Sequence, residues 1–254
     1  MPDEAPPMIE LVDVKKDLGG RRVLDGLTLT VSKGETLVVL GGSGTGKSVT
    51  LKHMVGLLQA DAGRVRVAGE DVTDYTPREL APVRRRFGYC FQGAALLNSL
   101  TVFENVALPL RETERLSEAD VTRRVAESLE IVGLADAAGK MPSSLSGGMR
   151  KRAGLARAIV RRPEIVLYDE PTSGLDPVIS RTIDELVLDL RRRLGVTSVL
   201  VTHDMASAFR VATRLAFLHR GRIHLEGSPE AFRSSQDPLV RQFLLYVLSV
   251  EGQQ

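Results

Sequence analysis

The segment GGSGTGKS, residues 41–48, constrains this chain more than any other stretch. It follows TLVVL, a short continuous apolar run of the kind that forms a buried parallel strand. It precedes SVTLKHMVGLL, where Leu51, Met54, Val55 and Leu58 recur at helical spacing and predict one apolar face. A glycine-rich loop between strand and helix is the context that turns this pattern into a phosphate site. Gly41, Gly42, Gly44 and Gly46, with Ser43 and Thr45 among them, let the backbone curl so that successive N–H groups point at phosphate oxygens. The helix N-terminus adds partial positive charge. Lys47 brings a mobile cation to the outer phosphates, and Ser48 offers a hydroxyl to Mg²⁺.

Three further apolar runs end in polar residues that suit this chemistry. IVLYDEP places Asp169 and Glu170 just past a predicted strand. Such a pair is commonly a solvated strand end; the phosphate loop upstream gives it another meaning. Asp169 is expected to hold Mg²⁺, and Glu170 to act as general base or to position the attacking water. SVLVTHD ends in His203, expected on the same carboxyl edge of the sheet as Gly41 and Asp169. There it would contact the γ-phosphate and orient water. FGYCFQ ends in Gln92, which can hold Mg²⁺ or water and sense the γ-phosphate.

Strands alternating with helices predict an α/β fold with a mostly parallel sheet. MIELVDVKK and GLTLTVSKGETLVVLGG read as strands, and GRVRVAGEDV as a hairpin. Residues 1–7 read as a disordered leader, 8–236 as the folded body and 237–254 as a helical tail. Within the body, about 98–160 reads as a helical insertion, with Ser117 and Asp120 in the form of a capping box. In the tail, Val240, Phe243, Leu244 and Val247 share a helical face that would pack on the body or dock on a partner. The single cysteine, Cys90, excludes an internal disulfide framework and reads as a buried filler. The N-terminal MPDEAPPMIE lacks a basic flank and an apolar core, and no apolar run approaches the roughly 20 residues of a membrane helix. A cytoplasmic location is expected, with any membrane spans supplied by another chain. The net charge of +2 is spread thinly, so nucleic acid is not an expected partner. Arg84–Arg86, Arg150–Arg152 and Arg191–Arg193 read as solvated helix faces.

LSGGM, residues 145–149, lies in the helical insertion at a predicted helix N-terminus. Its serine hydroxyl, exposed N–H groups and dipole suit a phosphate, and an insertion can reach the phosphate loop of a second subunit. With GGSGTGKS, FQ, LSGGM, IVLYDEP, SGLD and VTHD in this order, the chain resembles the ATP-binding cassette (ABC) ATPases from about Ile9 to Gly227. The resemblance implies a RecA-like phosphate-loop core, an antiparallel β subdomain and an inserted helical subdomain. It implies ATP with Mg²⁺, held through Ser48, Gln92 and Asp169, and a head-to-tail dimer of two copies. Leu145, Ser146, Gly147, Gly148 and Met149 would then complete the site of the partner copy, and Ser173, Gly174, Leu175 and Asp176 would form the D-loop that links the two sites. Leu18 stands where the family carries an aromatic that stacks on adenine, which implies looser base selectivity.

Met149 stands where most of the family has glutamine. Together with FQGAALLNSLTVFENVALPLRE and DPLVRQFL, it makes the chain similar to the ATPases of Mla-type lipid transport systems. That likeness implies a motor on the cytoplasmic face of the inner membrane. It would work with an integral-membrane permease, an MCE-type substrate-binding protein and a small cytoplasmic accessory subunit. An importer motor for amino acids or another polar solute shares every catalytic motif and is the alternative.

Overall fold

The computed structural model describes Pro6–Glu251, with side chains through Leu245. Met1–Ala5 of the expected leader and the Val247 side chain of the tail therefore lie outside the described residues. The chain divides into two compact units, Met1–Arg84 with Thr197–Gln254, and Arg85–Val196.

The first unit opens with β1 (Ile9–Leu18) and β2 (Arg21–Val31), paired antiparallel. Gly19 and Gly20 join them with φ of 57° and 76°. Two positive φ values in a two-residue loop match the right-handed twist of the flanking strands. Ile9, Leu11, Leu27, Leu29 and Val31 are buried by the alternation of these strands. β3 (Thr36–Leu40) is buried at every position, as expected of a central parallel strand. The phosphate loop follows, and then α1 (Lys47–Met54). This helix is shorter than its apolar spacing predicts, because Gly56 takes φ +67° and turns the chain. Leu58 consequently lies beyond the helix, while Leu51, Met54 and Val55 are buried. β4 (Ala62–Val67) and β5 (Glu70–Asp71) complete an antiparallel sheet of order β2-β1-β4-β5, and α2 (Leu80–Arg84) ends the segment.

The second unit begins with β6 (Phe87–Cys90) and continues with α3 (Val102–Thr113), α4 (Glu118–Ile131) and α5 (Gly147–Ile159). β7 (Ile165–Asp169) runs parallel to β6, with Cys90 opposite Tyr168, and α6 (Pro177–Leu194) follows. Ser117 caps α4 by accepting from the Asp120 N–H at 3.1 Å. The full reciprocal capping box sits one helix earlier, at Thr101 and Glu104, where the spacing rule applies equally well. Gly88 in β6 admits α5 at close range: a Cβ there would lie 2.3 Å from the Ala158 carbonyl oxygen. Gly88→Ala is expected to cost about 2–3 kcal/mol through overpacking. Urea unfolding that gives a wild-type midpoint would refute this packing role.

The chain then returns to the first unit with β8 (Thr197–Thr202), α7 (Met205–Val211), β9 (Arg214–His219) and β10 (Arg222–Gly227). β9, β3 and β8 lie side by side and parallel, and β10 is antiparallel at the edge. α8 (Pro229–Arg233), capped by Ser228, was not legible as a separate element; α9 (Pro238–Glu251) is the expected tail helix. Val240 is buried, and the Phe243 ring lies 5.0 Å from that of Phe217. The described part of the tail thus packs on its own unit. Among the described residues no helix is long and apolar enough to cross a membrane.

Candidate nucleotide site

In the first unit the phosphate loop leaves the carboxyl end of β3 and turns directly into α1. Gly46 is the N-cap residue of α1, with φ 105°, and a Cβ there would stand 3.0 Å from Leu24 Cδ2. A Cβ on Gly41 would lie 2.6 Å from the Leu218 carbonyl oxygen. These two glycines are required by conformation and by close approach. No acidic side chain occupies the first turn of α1, which leaves its positive end suited to an anion. Lys47 is buried and folds back over the loop, its Nζ donating to Gly41 O at 2.9 Å and Gly42 O at 3.1 Å. Thr45 Oγ1 donates to Gly42 O at 2.9 Å. Ser48 follows Lys47 in the same first turn. Beside Ser43, Gly44 and Thr45 opens a cleft of about 380 Å³ whose other walls include Arg21, Val23, Asp25, His219 and Arg220.

His203 stands at the end of β8 and is exposed. Leu40 and Thr202 are register partners in adjacent parallel strands, so Gly41 and His203 emerge side by side at one sheet edge. The neighbouring Asp204 is a helix cap, accepting from the Ser207 N–H at 2.9 Å.

In the second unit Asp169 ends β7 and Glu170 follows, and both are buried. The Tyr89 hydroxyl, from β6, donates to Asp169 Oδ2 at 3.2 Å. Burial, reinforced by Asp169, raises the proton affinity of this phenol, so it stays a donor. Glu170 adopts φ 49°, a left-handed conformation that costs an L-residue roughly 1–2 kcal/mol. Its carbonyl oxygen accepts from Ser173 N at 3.2 Å, Ser173 Oγ at 2.9 Å and Lys151 Nζ at 3.0 Å. Strain held by such over-determined contacts is characteristic of functional positions. Gln92 lies two residues beyond β6, is exposed, and its carbonyl accepts from Lys151. The half-buried Lys151 is held below the usual lysine range by desolvation, against the pull of the Glu170 and Asp169 carboxylates. Cys90 is buried, which pushes its thiol up to about 12 and fits the expected filler role.

The signature segment is also built as a helix start. Ser146 is the N-cap of α5 and accepts from the Met149 N–H at 3.3 Å, while remaining exposed. Gly148 is buried, and a Cβ there would lie 2.6 Å from Ile179 Cγ2. Its lack of a side chain is demanded by packing against α6. Asp176, expected in the D-loop, caps α6 by accepting from Val178 N and Ile179 N, both at 3.0 Å. Leu145 is buried, and Gly174 takes φ +73° in the turn between Ser173 and Leu175.

The expected solvated basic faces need correction at two places. Arg84 donates to Val55 O and Gly56 O. Arg150 donates to Leu145 O, and Arg152 to Val132 O and Gly133 O. The cluster at the end of α6 keeps an exposed charged face, where Arg192 and Arg193 pair with Asp189 and complement the helix dipole.

Among the described residues no group of three His, Cys, Asp or Glu side chains forms a metal cluster. A hydroxyl at Ser48, an amide at Gln92 and a carboxylate at Asp169 are hard oxygen donors. Donors of that kind suit Mg²⁺, which takes few protein ligands and keeps waters and substrate phosphates in its shell.

The ABC transporter family profile matches residues 24–173. The chain is 42% identical over 236 residues to the probable ribonucleotide transport ATP-binding protein mkl of Mycobacterium tuberculosis, covering 93% of this chain and 66% of that protein. It is 46% identical over 220 residues to the methionine import ATP-binding protein MetN of Rhizobium johnstonii, covering 87% and 60%. The chain therefore spans about two thirds of the length of these relatives, or slightly less. A solved dimeric ATP-binding cassette, in a post-hydrolysis state with ADP and Pi, is 33% identical with a TM-score of 0.81, covering 87% of this chain and 99% of that one. The cassette cbiO1 of Clostridium perfringens, part of the ABC transporter complex cbiONQ, is 26% identical with a TM-score of 0.81, covering 95% and 99%. The order of elements, the phosphate loop on β3 and these likenesses agree: the chain belongs to the ABC transporter family and has the ABC ATPase fold.

Proposed function

We propose that this chain is the ATP-hydrolysing motor subunit of a membrane transporter. The observation that carries the reading is the buried Asp169–Glu170 pair at the end of β7, with Glu170 held in a left-handed turn. Lys47 and the loop N–H groups bind the outer phosphates. Ser48, Gln92 and Asp169 would hold Mg²⁺, which would neutralise charge on the phosphates. Glu170 accepts a proton from a water that attacks the γ-phosphorus; the bond to the ADP oxygen breaks, and ADP and inorganic phosphate leave. His203 orients that water against the γ-phosphate.

A second copy completes each site. Ser146, Gly147 and Gly148, at the positive end of α5, face the γ-phosphate held by the partner's loop, with Leu145 and Met149 flanking that helix start. Ser173, Gly174, Leu175 and Asp176 carry the link between the two sites. The relative solved with ADP and Pi is itself dimeric. Ser146→Arg is therefore expected to leave nucleotide binding by the monomer within about threefold and to lower turnover at least about 100-fold. Equilibrium binding and phosphate release measure the two effects; an active mutant monomer would refute the shared site.

The motor would sit on the cytoplasmic face of the inner membrane, against an integral-membrane permease. Met149 and the flanking segments favour lipid cargo and an MCE-type partner with a small accessory subunit. The relatives named for ribonucleotide and methionine transport favour a second reading, import of a polar solute. Affinity purification in mild detergent separates them. An MCE protein among the co-purified chains supports lipid transport; a soluble solute receptor overturns it.

A further inference from the structure

The ATP chemistry makes no use of the cations that follow LSGGM, yet one of them occupies the middle of the second unit. Lys151, Gly154 and Arg157 recur at a spacing of three along α5 and so share a face. That face grips the segment after β6. Arg157 donates to Ala94 O and Ala95 O, both at 2.7 Å. Those two alanines have φ of 60° and 48°, a left-handed pair that needs outside support. A Cβ on Gly154 would come within 3.1 Å of Ala94 Cβ, so the segment lies directly on the helix.

Lys151 reaches further. Its ammonium has three protons and three acceptors: Gln92 O, Glu170 O and Ser173 Oγ. Ser173 Oγ in turn donates to Glu170 O at 2.9 Å. A hydroxyl can accept and donate at once, so the arrangement is self-consistent. One side chain thus binds the main chain at Gln92, the main chain at Glu170 and the loop before α6. We infer that Lys151 is a positioning residue for hydrolysis. It fixes the left-handed turn that aims the Glu170 carboxylate, and it makes that aim depend on the place of the Gln92 segment. Withdrawal of Gln92 removes one of the three acceptors and loosens the other two together. The inference rests on the proposed role of Glu170 as base.

The test replaces Lys151 by Met, which keeps the stem and removes the ammonium, and by Arg, which keeps the charge. In nucleotide-free protein, hydrogen exchange of the segments 91–97 and 170–176 is expected to accelerate at least about tenfold in Lys151→Met. With ATP, kcat is expected to fall about 10- to 100-fold while KM changes less than about threefold, since a misaimed base affects the reacting state. Lys151→Arg should recover part of both effects. Ser173→Ala weakens the same junction from its other side and should lower kcat with the same pattern, which keeps the test open if the Met variant does not fold. Turnover within twofold of wild type in Lys151→Met, or faster exchange in only one of the two segments, overturns the inference. The exchange measurement needs no ATPase activity. A chain with a tight junction and no hydrolysis would therefore condemn the motor reading, whereas normal hydrolysis without the junction condemns this one.

Discussion

Glu170→Gln is expected to bind ATP and to turn it over about 10²–10⁴-fold more slowly than wild type, the range a positioned general base contributes. The substitution keeps the size of the side chain and the left-handed turn, so the buried end of β7 should survive. What disappears is the ability to take a proton from water. The amide also removes a negative charge near Asp169, which should ease the crowding of carboxylates around the phosphates. The variant is thus expected to hold ATP at least as well as wild type and to accumulate in the ATP-bound dimer. Steady-state phosphate release, together with sedimentation in ATP, measures both effects. Near-normal turnover would remove Glu170 from the role of base.

Lys47→Ala is expected to weaken ATP binding at least about 100-fold, roughly 3 kcal/mol, the upper range for a hydrogen bond to a charged group. The loss has two parts. The ammonium no longer meets the outer phosphates, and Gly41 O and Gly42 O lose the donor that closes the loop over itself. Because a ligand at free concentration L stabilises a fold by RT ln(1 + L/Kd), a 100-fold weaker Kd should cut the stabilisation behind the rise in Tm by up to about 2.7 kcal/mol at the same ATP concentration. Isothermal titration gives the affinity directly. An unchanged Kd would mean that the loop binds through its N–H groups alone.

Much of this was legible in the sequence because the signals are local. A phosphate loop needs its strand, its glycines and its helix in immediate succession, and residues 36–54 supply them in order. Likewise, apolar runs that end in acid, histidine or glutamine name the ends of β7, β8 and β6 with little help from the rest of the chain. What escaped depends on distance. Lys151 and Gln92 are 59 positions apart, and nothing in a basic run tells which carbonyls it will reach. That Gly148 must also admit the Ile179 side chain could not be read locally, because Ile179 lies on another helix. Leu58 was placed on α1 because periodicity continues past Gly56, whereas the backbone does not. The Thr101–Glu104 box is as local as the Ser117–Asp120 cap and, with glutamate at its third position, the more complete of the two.

The helix α5 has one further consequence, which is mechanical. Its first residue follows Ser146, and its body carries Lys151 and Arg157. A helix rises about 1.5 Å per residue, so α5 carries one continuous element over about 16 Å from Ser146 to Arg157. If the proposed second copy bears on Ser146 and the proposed permease on the segment after β6, a displacement at either end would be carried along α5 to the other. Any such coupling would be reciprocal in free energy: whatever the neighbour's binding does to the partner's affinity, the partner's binding does to the neighbour's.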